Sequence, residues 1–164
     1  MVNNQKYGHP NPFVNARNEL PWPPPTNGEE FQSTRKIDFQ VWDLDEIQTL
    51  AKRFLEGETG VIRAVTSDCI HDMQEEKIGL DFAADLLLML EPDHYLNSQW
   101  CTTGGRASVK CRPELRWVPC DAYCLPCEID CEDGRTIEKK YYLKLARAVT
   151  GTMLLLVSLH PSNF

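Results

Sequence analysis

The sequence predicts an α+β fold, with N-terminal helices packed on a small antiparallel β-sheet. Three observations carry this. Apolar residues recur at helical spacing in the first half, strict alternation takes over towards the end, and no internal repeat interrupts the order. At 164 residues the chain has room for one ordinary domain and a tail. Its 42% hydrophobic and 25% charged residues are those of a globular chain able to build a core.

Residues 1–36 hold the piece Pro21-Trp22-Pro23-Pro24-Pro25, Asn and Gly punctuation, and no periodic apolar pattern. They read as a flexible or polyproline-type arm, with Trp22 available to a partner, and residues 37–164 as the folded domain. Ile37 to Trp42 reads as a short strand or lead-in. Asp43 then opens a helix, because Asp accepts from the first turn and Glu46 stands where a capping box asks. Leu44, Ile47, Leu50, Ala51 and Phe54 keep helical spacing, and Gly57 or Gly60 ends the element. Val61 to Met73 reads as a second helix, against the grain of its β-branched residues. Asp81 caps a third, Phe82 to Leu90, apolar nearly all round and therefore expected deep in the core. Pro92 stops it and can start a further turn.

Asn97 to Arg116 is Gly-bearing, basic and irregular, a long loop with room for one strand. Trp117 to Ile129 looks extended, Asp133-Gly134 is a turn signal, and Ile137 to Val149 alternates. Met153 to Leu159 is the last strand. Matching polar ends of the closing hairpin puts Tyr142 opposite His160 and Lys144 opposite Ser158. Extended inward, that register closes on Val149 and Met153 around the three-residue loop Thr150-Gly151-Thr152.

Charge and cysteine content restrict function. The net charge is −7, but residues 1–96 carry 8 Lys or Arg against 17 Asp or Glu, and residues 97–164 carry 9 against 7. Arg106, Lys110, Arg112 and Arg116 face only Glu114 in their stretch, a local excess of the kind phosphate contacts require. A solvated loop reads equally well. No apolar run of roughly 18 residues and no signal-type N-terminus appear, so a soluble, cytoplasmic protein is expected, with no membrane partner. Seven cysteines then read as thiols or metal ligands. Cys120, Cys124, Cys127 and Cys131 are the one zinc-like quartet. On a straight strand the first two point opposite to the last two, and only a break at Pro126 brings them to one ion. Cys69 reads as core, Cys101 and Cys111 as a pair that oxidation could join, His71 and His94 as exposed helix-end residues. Trp100 and Trp117 bracket the basic loop as packing or as base-stacking platforms.

The hairpin register gathers Tyr142, Lys144, Ser158 and His160 at one end of a sheet, with opposed Cβ atoms about 5 Å apart. Such a set suits RNA cleavage without a metal or other cofactor. That chemistry needs a base for the 2′-hydroxyl, donors for the phosphorane-like charge and an acid for the leaving oxygen. Histidine performs either proton job near neutrality, and Lys144 or Arg116 can hold phosphate. The plainer alternative is the solvated face of an edge strand with an exposed terminal histidine.

The run from Asp45 through GLDFAADLLLML and HYLNSQ, then WVPCDAY, YYLKL and LLLVSLH, resembles in order and spacing the MqsR family of type II toxins. It covers roughly Asp45 to His160. The resemblance implies a RelE-like fold, an mRNA endoribonuclease that arrests growth, and neutralisation by a cognate antitoxin protein. It places Tyr142 on the family's strand tyrosine, Lys144 on the lysine two residues on, and His160 on the basic residue after the final strand. Asp121 and Tyr123 match the family's Asp-x-Tyr, which makes Tyr123 a candidate RNA-binding residue beside Arg106, Lys110, Arg112 and Arg116. Two positions depart. The family's Gln before that Asp is Cys120, and its Lys falls on Leu96 or Gln99. Either Lys110 or Arg116 compensates, or the nuclease activity is altered or absent. The alternative is a non-catalytic binding module on the same fold, zinc-stabilised through the cysteine quartet.

Overall fold

The structure, a computed structural model, describes residues 13, 16, 17, 20, 36–103 and 117–162. In chain order these form β1 (Lys36–Ile37), α1 (Leu44–Leu55), β2 (Ile62–Ala64), α2 (Ser67–Glu75), α3 (Leu80–Met89), a 3-10 turn (Pro92–His94), β3 (Tyr95–Thr102), β4 (Trp117–Asp130), β5 (Thr136–Arg147) and β6 (Leu154–Pro161). The fold is α+β. The sheet has six strands in the order β1-β3-β4-β5-β6-β2 and is mixed, because β2 runs parallel to β6 while every other pair is antiparallel. Among the described residues no helix is long and apolar enough to cross a membrane.

The parallel edge corrects the reading of Val61 to Met73 as one helix. Ile62 to Ala64 pairs with Leu154 to Leu156, as β-branched residues in an extended stretch favour. The helix starts only at Ser67, capped by Thr66, whose hydroxyl accepts from the Cys69 N–H at 3.1 Å. α1 forms with Asp43 accepting from the Glu46 N–H at 3.2 Å and Ile47, Leu50 and Ala51 buried, but the Glu46 carboxylate turns to Arg147 instead of closing the capping box. α3 opens at Gly79 without a side-chain cap, so Asp81 lies inside the first turn. Ala83, Ala84, Leu86 and Leu87 are buried, whereas Leu88 and Met89 are exposed, so the helix is not wholly interior.

One face of the sheet packs on the helices. Tyr123 and Leu125 of β4, Tyr141, Leu143 and Leu145 of β5, and Leu154, Leu156 and Leu159 of β6 all lie there and are buried. Phe82 of α3 meets Tyr141 edge-on at 5.5 Å. Arg147 ends β5 in the same layer at 6% exposure. It donates to the Gly151 carbonyl from two guanidinium nitrogens and pairs with Glu46 at 2.9 Å. Phe13 and Leu20 also belong to this core, Phe13 against Trp42 and Trp100, at odds with an arm detached over all of residues 1–36. The piece Pro21 to Pro25 lies outside the described residues.

The closing hairpin departs from regular alternation once. Tyr142 pairs with His160 and Lys144 with Ser158 as read, but Leu145 pairs with Leu156, so Val157 is one residue extra. Inside the bulge the pairing runs to Arg147 with Leu154, and the Ala148 N–H reaches the Met153 carbonyl at 2.8 Å. The loop is therefore Val149 to Thr152, not the three residues that an unbroken register requires, with Gly151 at φ 76°. The Val157 carbonyl takes its hydrogen bond from the Thr66 hydroxyl at 2.8 Å. One threonine thus caps α2 and satisfies the bulge.

Candidate active site on the outer sheet face

The other face of the sheet carries the candidate chemistry. Regular pairing between β4 and β5 sets Cys124 beside Tyr142 and Ala122 beside Lys144, and the outer half of the hairpin adds His160 and Ser158 to those two rows. β5 lies between β4 and β6, so this is an interior strand of the sheet and not an edge. Tyr142 and His160 stack with ring centroids 5.2 Å apart and planes at 25°. Lys144 stands beside the same ring, its Nζ 5.7 Å from the Tyr142 centroid.

The protonation pattern follows from the neighbours. His160 Nδ1 lies 2.8 Å from the Pro161 carbonyl. A carbonyl only accepts, so Nδ1 holds the proton in the neutral ring and Nε2 presents its lone pair. Burial alone would lower the Lys144 ammonium, but Cys101, Tyr142 and Cys120 beside it outweigh that and hold its pKa above the ordinary value. Lys144 is therefore held as a cation, and in the neutral His160 ring it is Nε2 that carries the lone pair.

Further along this face Cys120, Ala146 and Leu155 are buried, as is Ala122 beneath the Lys144 row. Burial pushes the Cys120 thiol well up, and Cys101 beside it adds to the effect. Gln99 lies directly opposite Cys120 in the β3–β4 register, with its amide 3.8 Å from the Cys101 sulfur. Of the positions where the resemblance expects a Gln and a Lys, Cys120 is a neutral thiol, Gln99 an amide on the adjacent strand and Leu96 an exposed apolar residue.

Tyr123 is not part of this group. It is fully buried on the helix face, edge-on to Tyr95 at 5.9 Å, with its hydroxyl accepting from the Gln40 amide at 3.0 Å. Burial and the nearby Asp121 push its pKa far up, beyond the range of a proton donor near neutrality. Asp121 faces the same way. Its carboxylate accepts from the Val41 N–H at 2.9 Å, the Trp42 N–H at 2.8 Å and the Ser98 hydroxyl at 2.5 Å. The Asp-x-Tyr pair thus fastens the lead-in to α1 onto the sheet.

The cysteine quartet is split as a straight strand requires. β4 runs unbroken through Pro126, which pairs with Lys140, so Cys120 and Cys124 share the outer face and Cys127 the helix face. Among the described residues no three His, Cys, Asp or Glu side chains converge on a metal position. Cys69 is core, 1% exposed. Arg106, Lys110, Arg112 and Arg116, with Cys111, lie outside the described residues.

Two features escaped sequence reading. Lys140 is exposed on the outer face, two residues before Tyr142, and the alternation that exposes Tyr142 and Lys144 would have found it. The second is a cleft of about 370 Å³ between α2 and the end of β6, lined by Asp72, Glu75, Glu76, His160 and Pro161. No local signal announces it, because it exists only once α2 docks beside β6. A larger cleft of about 520 Å³ between Arg17, Gln40, Gln48 and Glu91 contains none of the sequence candidates. Compared with known proteins, the chain matches no protein-family model, no curated protein and no solved structure.

Proposed function

We propose that the chain is a RelE-like mRNA endoribonuclease of the MqsR type, a growth-arresting toxin held in check by a cognate antitoxin protein in the cytoplasm. The reading rests on one observation above others. A histidine whose Nδ1 is tied to a backbone carbonyl, a tyrosine stacked on it and a lysine held cationic stand on adjacent strands of one accessible sheet face.

Each group has a task in transesterification. His160 Nε2 takes the proton of a ribose 2′-hydroxyl, whose oxygen attacks the adjacent phosphorus. Lys144 stands beside the phosphoryl oxygens and stabilises the charge that builds on them. Tyr142, beside Lys144 and stacked on His160, gives its hydroxyl proton to the departing 5′-oxygen. The products are a 2′,3′-cyclic phosphate and a free 5′-hydroxyl. DNA lacks the nucleophile and is spared.

The test is a labelled oligonucleotide with one ribose in an otherwise 2′-O-methyl strand, incubated with the purified full chain. Cleavage at that ribose is expected, with a cyclic-phosphate end, and His160→Ala lowers the rate by about 10²- to 10⁴-fold. RNA left intact by the wild-type protein, together with normal growth on its expression, would sink the proposal. Suppression of toxicity by a co-expressed neighbouring reading frame would identify the antitoxin.

A further inference from the structure

Lys140, Tyr142 and Lys144 succeed one another on the outer face of β5, in unbroken register with Pro126, Cys124 and Ala122 of β4. Lys139, the neighbour of Lys140, turns to the helix face, where it pairs with Glu76 at 3.4 Å and lies 5.7 Å from the Tyr141 ring centroid. Lys140 is exposed, and among the described residues no carboxylate pairs with it or with Lys144. The two outward lysines are separated by four residues, about 13 Å of strand, with Tyr142 midway.

Among the described residues, the surroundings disfavour a polyanion to either side of this stretch. On the β6 side stand Asp72, Glu75 and Glu76 around the His160 cleft, which repel phosphate. Beyond Lys140 the outward pair is Glu128 opposite Glu138. Beyond Lys144 the outward positions Ala146 and Cys120 are buried. A strand that avoids all three lies along β5 and leaves over Asn97 of β3, whose polar side chain shares the face.

We propose that Lys140 is a second phosphate-binding residue of this face, gripping the phosphate that flanks the scissile one, so that the RNA strand runs along β5 over Tyr142. This rests on the nuclease reading for the identity of the scissile phosphate, but the grip itself is a binding property. Lys144 and Lys140 hold the phosphates on either side of one nucleotide, which lies alongside the Tyr142–His160 pair.

The experiment uses the full chain and a fluorescent, fully 2′-O-methylated single-stranded RNA, which binds but cannot be cut, with affinity read by anisotropy across a salt series. Cleavage kinetics on the single-ribose oligonucleotide run beside it. Lys140→Gln is expected to weaken binding and raise KM several-fold while kcat stays within about twofold, and to flatten the plot of log affinity against log salt by about 0.7, the single-strand value for one phosphate contact. Lys140→Arg restores the slope, and Lys139→Gln leaves it unchanged. A wild-type slope and KM in Lys140→Gln overturns the inference, as does a fall in kcat at unchanged KM. Lys140-dependent binding by a wild type that never cleaves would refute the nuclease reading and leave the phosphate grip standing. A wild type that does not bind the RNA refutes the grip.

Discussion

Replacing Asp121 by Ala separates a supporting role for the Asp-x-Tyr pair from a catalytic one. The carboxylate is fully buried and accepts three hydrogen bonds. Truncation leaves the Ser98 hydroxyl with the Tyr95 hydroxyl 2.6 Å away, so that donor is still served. The Val41 and Trp42 N–H groups have no such substitute. Each buried donor left unmade costs about 1–3 kcal/mol, and relief from burying a carboxylate offsets part, which gives a net loss of about 3 kcal/mol. Against a total of about 5–15 kcal/mol for an ordinary domain that is a large fraction. Asp121→Asn keeps one acceptor but turns an amide donor towards one of the two N–H groups, so an intermediate loss is expected. Burial raises the Asp121 pKa more than its three donors lower it. A carboxyl whose folded pKa lies above its unfolded one contributes stability that is complete in acid and falls away as pH rises through the folded value. The gap between wild type and Asp121→Ala should therefore be widest on the acid side. Urea unfolding followed by tryptophan fluorescence measures it. A loss below about 1 kcal/mol would refute the anchoring argument, and a loss of RNA cleavage out of proportion to the folded fraction would give Asp121 a catalytic role instead.

The other two predictions concern the same packing. Burial, with Asp72 beside it, pushes the Cys69 thiol up to about 11 from an ordinary 9.0. The unfolded chain releases this proton first, so the contribution of Cys69 is complete below pH 9 and is lost as pH rises towards 11. Tm should fall more steeply over that window in wild type than in Cys69→Ala, and parallel curves would count against it. Thr66→Val removes both the cap of α2 and the partner of the Val157 carbonyl. A loss of about 2 kcal/mol is expected from the cap and the orphaned carbonyl together, measured by urea unfolding, and a change below about 0.5 kcal/mol would contradict the double role.

Much of the fold was legible because its signals are local. Asp43 and Glu46 mark the start of α1 whatever surrounds them, and Asp133-Gly134 marks the β4–β5 turn, with Gly134 at φ 84°. The parallel edge was not legible. Three residues, Ile62 to Ala64, are too few to show a period, and they form a strand only because Leu154 to Leu156 present a free edge. Nor could Asp121 and Tyr123 be assigned to a face from their own neighbourhood, since alternation says that they share a side and not which side is buried.

The bulge at Val157 explains why the site could be read at its polar end and not behind it. Unbroken alternation from His160 would put Leu154 and Leu156 on the outer face with Ser158, and would deny the core two of its fully buried side chains. In the run Leu154-Leu155-Leu156-Val157 every residue is apolar and buried, so a shift of phase leaves no trace in the pattern, whereas Ser158 and His160 break it visibly. The inserted residue lets one strand serve two surfaces. Its inner half gives Leu154 and Leu156 to the helix face, and its outer half keeps Leu159 there while turning Ser158 and His160 outward beside Lys144 and Tyr142. The Thr66 hydroxyl that satisfies the bulged carbonyl also starts α2, and α2 carries the acidic wall beside His160. The feature that aims the histidine outward is therefore coupled to the one that limits the direction from which a polyanion can reach it.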